Sequence, residues 1–106
     1  MADPLSVQQQ IAALKVLATS ARLTGLYELG IAACADKRRD DVEAVVQELI
    51  ASLDYEYANI ADAFNRVYTY CLEQARERAF ERVAFILTDL RDTLQQALAD
   101  GAPAAR

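Results

Sequence analysis

The sequence predicts an all-α protein: an antiparallel up-down four-helix bundle, with room for an extra short helix at its N-terminus. Three observations lead there. Hydrophobic residues fill 54% of the 106 positions while glycine occurs three times and proline twice, a balance that favours helix over sheet. Apolar residues then recur at three- and four-residue steps, and polar interruptions divide them into stripes of helix length. A chain of this length fits one domain, able to hide roughly 60–70% of its unfolded surface.

The elements follow in order. Asp3 before Pro4 is a helix-start pair, and Val7, Ile11, Leu14, Ala18 and Ala21 mark the first apolar face. Thr19-Ser20 offers a second capping candidate, so residues 5–35 read either as one bent helix or as a short helix leading into a longer one. Gly25 and Gly30 each weaken a helix by about 1 kcal/mol relative to alanine, and close approach by a neighbouring helix is the usual reason to tolerate that. The polar run Asp36-Lys37-Arg38-Arg39-Asp40-Asp41 is the clearest break and can cap the next stripe, Val42, Val45, Val46, Leu49, Ile50 and Leu53. Asn59 with Asp62 resembles a capping pair. A third stripe follows: Ile60, Phe64, Val67, Cys71, Leu72 and Ala75. The fourth is Val83, Ile86, Leu87, Leu90, Leu94 and Ala97, ending before a terminator at Gly101-Ala102-Pro103. Between the last two, "EQARERAFERV" holds no glycine, proline or asparagine. A hairpin is expected there, the alternative being one helix over 60–98 that buries its stripe against a second chain. The organisation is thus an N-terminal helical segment or cap over 1–19, a bundle over 20–98 and a disordered tail over 99–106.

Composition excludes several classes of function. A net charge of −5 argues against nucleic acid, whose phosphates call for a lysine- and arginine-rich face. No apolar run is long enough to span a membrane. The start, Met1-Ala2-Asp3-Pro4, lacks the flanks of a signal peptide, so a cytoplasmic location is the expectation. Cys34 and Cys71 lie in apolar sequence without ligand or redox spacing and read as small buried thiols. Without histidine there is no Ser-His or Cys-His pair and no Glu-x-x-His bridge. Glu73, Glu77 and Glu81 beside Arg76, Arg78 and Arg82 look like a solvated, salt-bridged face. Neither an enzyme nor a cofactor is expected. Binding is the class that remains.

The tyrosines are unevenly placed. Four of five, Tyr55, Tyr57, Tyr68 and Tyr70, fall within residues 52–70. Rings with polar tips either snorkel at the bundle rim with their hydroxyls in water or line a surface that something else covers. In a helix Tyr68 and Tyr70 point about 200° apart. With Val67 and Cys71 inward, Tyr68 sits at the core's shoulder and Tyr70 faces out.

"ELIASLDYEYANIADAFNRVYTYCL", residues 48–72, resembles the flagellar export chaperone family FliS, whose members carry a similar helix-ending Ser-Leu-Asp-Tyr-Glu, a short loop and a helix patterned like Ile-Ala-x-x-Phe/Leu-x-x-Val/Leu-Tyr-x-Tyr. "RLTGLYELG", residues 22–30, and "ILTDLRDTL", residues 86–94, are similar to two further family segments. By that resemblance the chain is similar to a shortened or divergent member, with Tyr57-Ala58-Asn59 where the family commonly has paired glycines and Leu94 where tryptophan is frequent. The resemblance implies a cytoplasmic secretion chaperone that binds the disordered C-terminal segment of flagellin, prevents premature polymerisation and keeps it export-competent for the flagellar type III secretion gate. It also implies partner contacts from the matching segments: Leu26, Tyr27, Tyr55, Tyr57, Ile60, Phe64, Tyr68 and Tyr70. A FliS-like structural or regulatory protein that partners a chaperone or an anti-sigma factor, and does not hold flagellin, is the alternative. A monomer is expected, an unrelated homodimeric helical protein being the third option.

Overall fold

A computed structural model describes residues 6–100. Among these the chain is all-helical, without strands. Its elements are α1 (Val7–Leu14), α2 (Thr19–Ala35), α3 (Arg39–Ala51), a 3-10 turn (Tyr55–Tyr57), α4 (Ala58–Arg76) and α5 (Phe80–Ala99). The helices have a definite neighbourhood: α2 packs on α3 and α5, α4 packs on α3 and α5, and α1 lies against α2 and α3. The proposed Asp3-Pro4 start and Gly101-Ala102-Pro103 terminator lie outside the described residues.

Up to residue 35 the described chain forms a short helix followed by a longer one. Ser6 begins α1 with a capping box, the Gln9 amide donating to Ser6 Oγ (3.2 Å) and the Ser6 amide to Gln9 Oε1 (2.9 Å), which satisfies two donors that the first turn leaves open. Val7 and Ile11 are buried, but Ala18 and Ala21 are exposed because the break at 15–18 resets the inward face to Leu26, Tyr27, Gly30, Ala33 and Cys34. Three expected caps do not form. Ala18, Arg38 and Tyr57 occupy the N-cap positions of α2, α3 and α4, and none caps through its side chain. Asp40 and Asp41 instead stand in the first turn of α3, where negative charge faces the positive end of the helix dipole.

Both glycines within α2 mark close approaches. A Cβ at Gly30 would lie 2.6 Å from Leu87 Cδ1 and 3.3 Å from Val45 Cγ1, and one at Gly25 would lie 2.5 Å from Leu14 Cδ2. Gly30 thereby lets α5 and α3 press on α2 at the centre of the core.

A turn separates α4 from α5, so residues 60–98 are not one helix. The turn is a Schellman motif without glycine: the Ala79 amide donates to the Gln74 carbonyl (2.9 Å) and the Arg78 amide to the Ala75 carbonyl (3.0 Å), with Arg78 in the left-handed region at φ 62°. The end of α2 repeats this device. Arg38 and Lys37 amides donate to the Ala33 and Cys34 carbonyls (2.9 and 3.0 Å), and Lys37 has φ 55°. Lys37 and Arg78 border one shallow depression, which places the two turns at the same end.

The inner face of α4 is rotated from the expected stripe. Ala61, Tyr68, Cys71 and Ala75 are buried, Phe64 and Val67 are half-buried, and Ile60 is exposed. The spacing 61, 64, 68, 71, 75 alternates three and four residues, as a helix face pressed on neighbours requires. Tyr68 is therefore a core residue and not a shoulder residue. On the outside, Glu73, Glu77 and Glu81 are exposed, yet the ladder with Arg76, Arg78 and Arg82 does not form. Arg76 pairs across helices with Glu43 (3.3 Å), and Arg82 donates to Gln74 Oε1 (3.1 Å) and Tyr70 Oη (3.4 Å).

Candidate functional site

The end of the molecule opposite the two Schellman turns gathers the start of α2, the segment linking α3 to α4, and the α1–α2 connection. Lys15 Nζ lies 3.6 Å from Glu48 Oε1 near the end of α3, which ties the connection to this end. Among the described residues, five of the eight exposed large apolar side chains collect here: Val16, Leu17, Tyr55, Tyr57 and Ile60. Tyr57 and Ile60 are 63% and 60% exposed, at positions one helical turn apart at the start of α4. The 3-10 turn holds this ridge in place, with Asp54 as its cap accepting from the Glu56 amide (2.9 Å).

Behind the ridge is a cavity of about 260 Å³, walled mainly by Leu23, Ile60, Ala61 and Phe64 with Tyr27 and Tyr68. The Phe64 and Tyr68 rings are 5.8 Å apart at centroid, tilted by 33°, within the favourable range for ring pairs. The Tyr27 and Tyr68 hydroxyls are 2.7 Å apart and buried. One hydroxyl donates to the other, which answers why tyrosine stands at core positions that phenylalanine would otherwise fill. Burial pushes the Tyr27 hydroxyl above its ordinary range, partly opposed by the bond from Tyr68; Tyr68 is raised by burial and further by Tyr27. Both rings are neutral at physiological pH.

The eight residues expected to contact a partner separate into two sets. Tyr55, Tyr57, Ile60 and Tyr70 are exposed, Tyr70 at 40%, and Phe64 is half-buried. Leu26, Tyr27 and Tyr68 are core residues with at most 3% of their surface accessible, so they shape the site from beneath and present no face of their own. Tyr70 stands apart from the ridge, three helical turns along α4, bonded to Arg82. Sequence reasoning missed Val16 and Leu17, whose exposure follows from the break before α2, and Arg22, which borders the cavity.

Cys34 and Cys71 are buried free thiols, each pushed up to about 11 by burial and, for Cys71, by the neighbouring Cys34. They are protonated and unreactive at neutral pH. Among the described residues no cluster of three or more His, Cys, Asp or Glu is placed to hold a metal ion, and no helix is long and apolar enough to cross a membrane.

No family model, no curated protein and no solved structure matches the chain.

Proposed function

We propose that the protein is a secretion chaperone of the flagellar export type, built as an antiparallel up-down four-helix bundle from α2–α5 with α1 as an added arm. In this reading it binds the disordered C-terminal segment of flagellin in the cytoplasm, keeps it from polymerising and holds it ready for export. The observation that carries the reading is the concentration of exposed apolar side chains, Tyr57 and Ile60 foremost, around an apolar cavity at one end. A monomeric protein seldom exposes contiguous apolar surface without a use for it. A disordered amphipathic segment is the fitting occupant: its ordering costs about 2–5 kcal/mol or more, which burial of an apolar face in a groove offsets. The Asp54-capped turn and the start of α4 already carry the ridge, which reduces the ordering cost that falls on the chaperone itself.

Burial of Leu26, Tyr27 and Tyr68 favours a second reading. These are among the residues that carry the family resemblance, and core packing alone would preserve them after flagellin binding was lost. The protein would then be a structural or regulatory partner of another chaperone or of an anti-sigma factor. Co-expression with a flagellin C-terminal fragment separates the two. Stable co-purification that Ile60→Asp abolishes supports the chaperone reading, and no co-purification supports the second.

A further inference from the structure

We infer that the cavity behind the Tyr57–Ile60 ridge is a binding site for an apolar group carrying a carboxylate, with the hydrocarbon against Phe64 and Tyr68 and the carboxylate on Arg22 at the start of α2. The inference stands on the cavity's own polar inventory and does not depend on flagellin being the client.

Most polar groups on the wall already have partners. Ser52 Oγ donates to the Leu49 carbonyl (2.8 Å), Asp54 accepts from the Glu56 amide (2.9 Å), and the Tyr27 and Tyr68 hydroxyls bond to each other (2.7 Å). Arg22 is the exception among the charged ones. Its side chain is half-buried, it makes no ion pair among the described residues, and its buried Nε has no hydrogen-bond acceptor. An Nε–H withdrawn from water without an acceptor is costly, and an anion bound beside it supplies one.

The backbone adds to the same field. Thr19, also on the wall, opens the 17-residue α2, whose N-cap Ala18 has no side chain able to cap. With no side chain capping that turn, the positive end of the α2 dipole adds to the field at this wall. The Tyr27–Tyr68 pair holds two hydroxyl protons and its mutual bond uses one, so one further donor borders the cavity.

These features select the ligand class. The walls are apolar, which demands a hydrocarbon or ring. A single guanidinium balances one negative charge, and Asp54 on the rim opposes a second, so a monoanion fits and a phosphate dianion does not. The cavity of 260 Å³ equals about nine water volumes of ~30 Å³ each, the size of a medium-chain acid or of one large apolar residue. That chemistry is shared by a free medium-chain carboxylic acid and by the last residue of a polypeptide.

Isothermal titration with two acid–neutral pairs tests the inference and separates these sources: octanoate against octanol, and N-acetyl-Leu-Phe as free acid against its C-terminal amide. At least one acid should bind at least tenfold more tightly than its neutral partner. Arg22→Gln should reduce that acid to the affinity of the neutral compound without weakening the neutral compound itself. Arg22→Lys, which keeps the charge, should retain part of the preference and serves if Arg22→Gln does not fold. Preference for octanoate points to a free acid, and preference for the peptide acid to a chain terminus. Equal binding of acid and neutral forms, no acid binding below millimolar concentration, or a preference that survives in Arg22→Gln would overturn the assignment.

Discussion

Replacing Tyr68 with phenylalanine removes one oxygen and keeps the ring. In the native core the Tyr68 and Tyr27 hydroxyls are 2.7 Å apart on helices α4 and α2, with 2% and 3% of the two residues accessible. Tyr68→Phe leaves the Tyr27 hydroxyl buried without its partner, and Tyr27→Phe does the converse. An orphaned buried hydroxyl costs about 1–3 kcal/mol, whereas exchanging both partners for apolar groups of the same shape is nearly neutral. The lower part of that range applies here, because the pair borders a cavity from which water can reach the remaining oxygen. Each single variant should therefore lose about 1–2 kcal/mol, a fall of roughly 4–8 °C per kcal/mol in the midpoint for a domain of this size. The double variant should be no less stable than either single one. Urea denaturation of the four proteins, analysed as a double-mutant cycle, measures the coupling directly. Losses that add to within about 0.5 kcal/mol would show that the hydroxyls do not act as a pair and would refute the explanation of the buried tyrosines.

Three further outcomes follow from the packing and the turns. Lys37→Gly and Arg78→Gly should each stabilise by roughly 0.5–1 kcal/mol, because the left-handed conformation costs a side-chain-bearing residue about 1–2 kcal/mol and glycine returns part of the gain as unfolded-state entropy; denaturant midpoints measure it. Gly30→Ala should destabilise by up to about 2 kcal/mol, its Cβ meeting the fully buried Leu87, whereas Gly25→Ala should be neutral or stabilising since half-buried Leu14 can swing aside. Stability should hold level up to about pH 9 and fall between pH 9 and 11, by about 1.4 kcal/mol per pH unit for each thiol. Cys34 and Cys71 keep their protons to about 11 in the folded chain but release them near 9.0 when unfolded, so rising pH draws the equilibrium towards the unfolded state. Denaturation midpoints across that pH range, with Cys34→Ala and Cys71→Ala as references, check the slope.

Much of the fold was legible in the sequence. Three- and four-residue spacing marked the helical stripes, the polar run 36–41 marked the break before α3, and Gly25 and Gly30 marked the tight approaches that the structure contains. What stayed hidden depends on partners distant in sequence. The inward face of α4 passes through Tyr68, not Val67, because Tyr68 finds its hydroxyl partner 41 residues away. The α4–α5 turn carries no glycine: Arg78 takes the left-handed conformation, and Phe80 just beyond it is buried in the core. Caps at 19–20 and 59–62 were plausible locally, yet those helices begin one or two residues earlier, at positions whose side chains cannot cap. For the candidate site, the crowding of tyrosines drew attention to the segment that carries the exposed ridge but merged two roles. Tyr55 and Tyr57 are surface rings, whereas Tyr68 is core and Tyr70 belongs to another face.

Titration of a labelled peptide from the flagellin C-terminus, followed by fluorescence anisotropy, tests the central claim most directly. Micromolar or tighter binding is expected, weakened at least tenfold by Ile60→Asp while the melting midpoint stays unchanged. Absence of binding at tens of micromolar, or binding indifferent to Ile60→Asp, would contradict it.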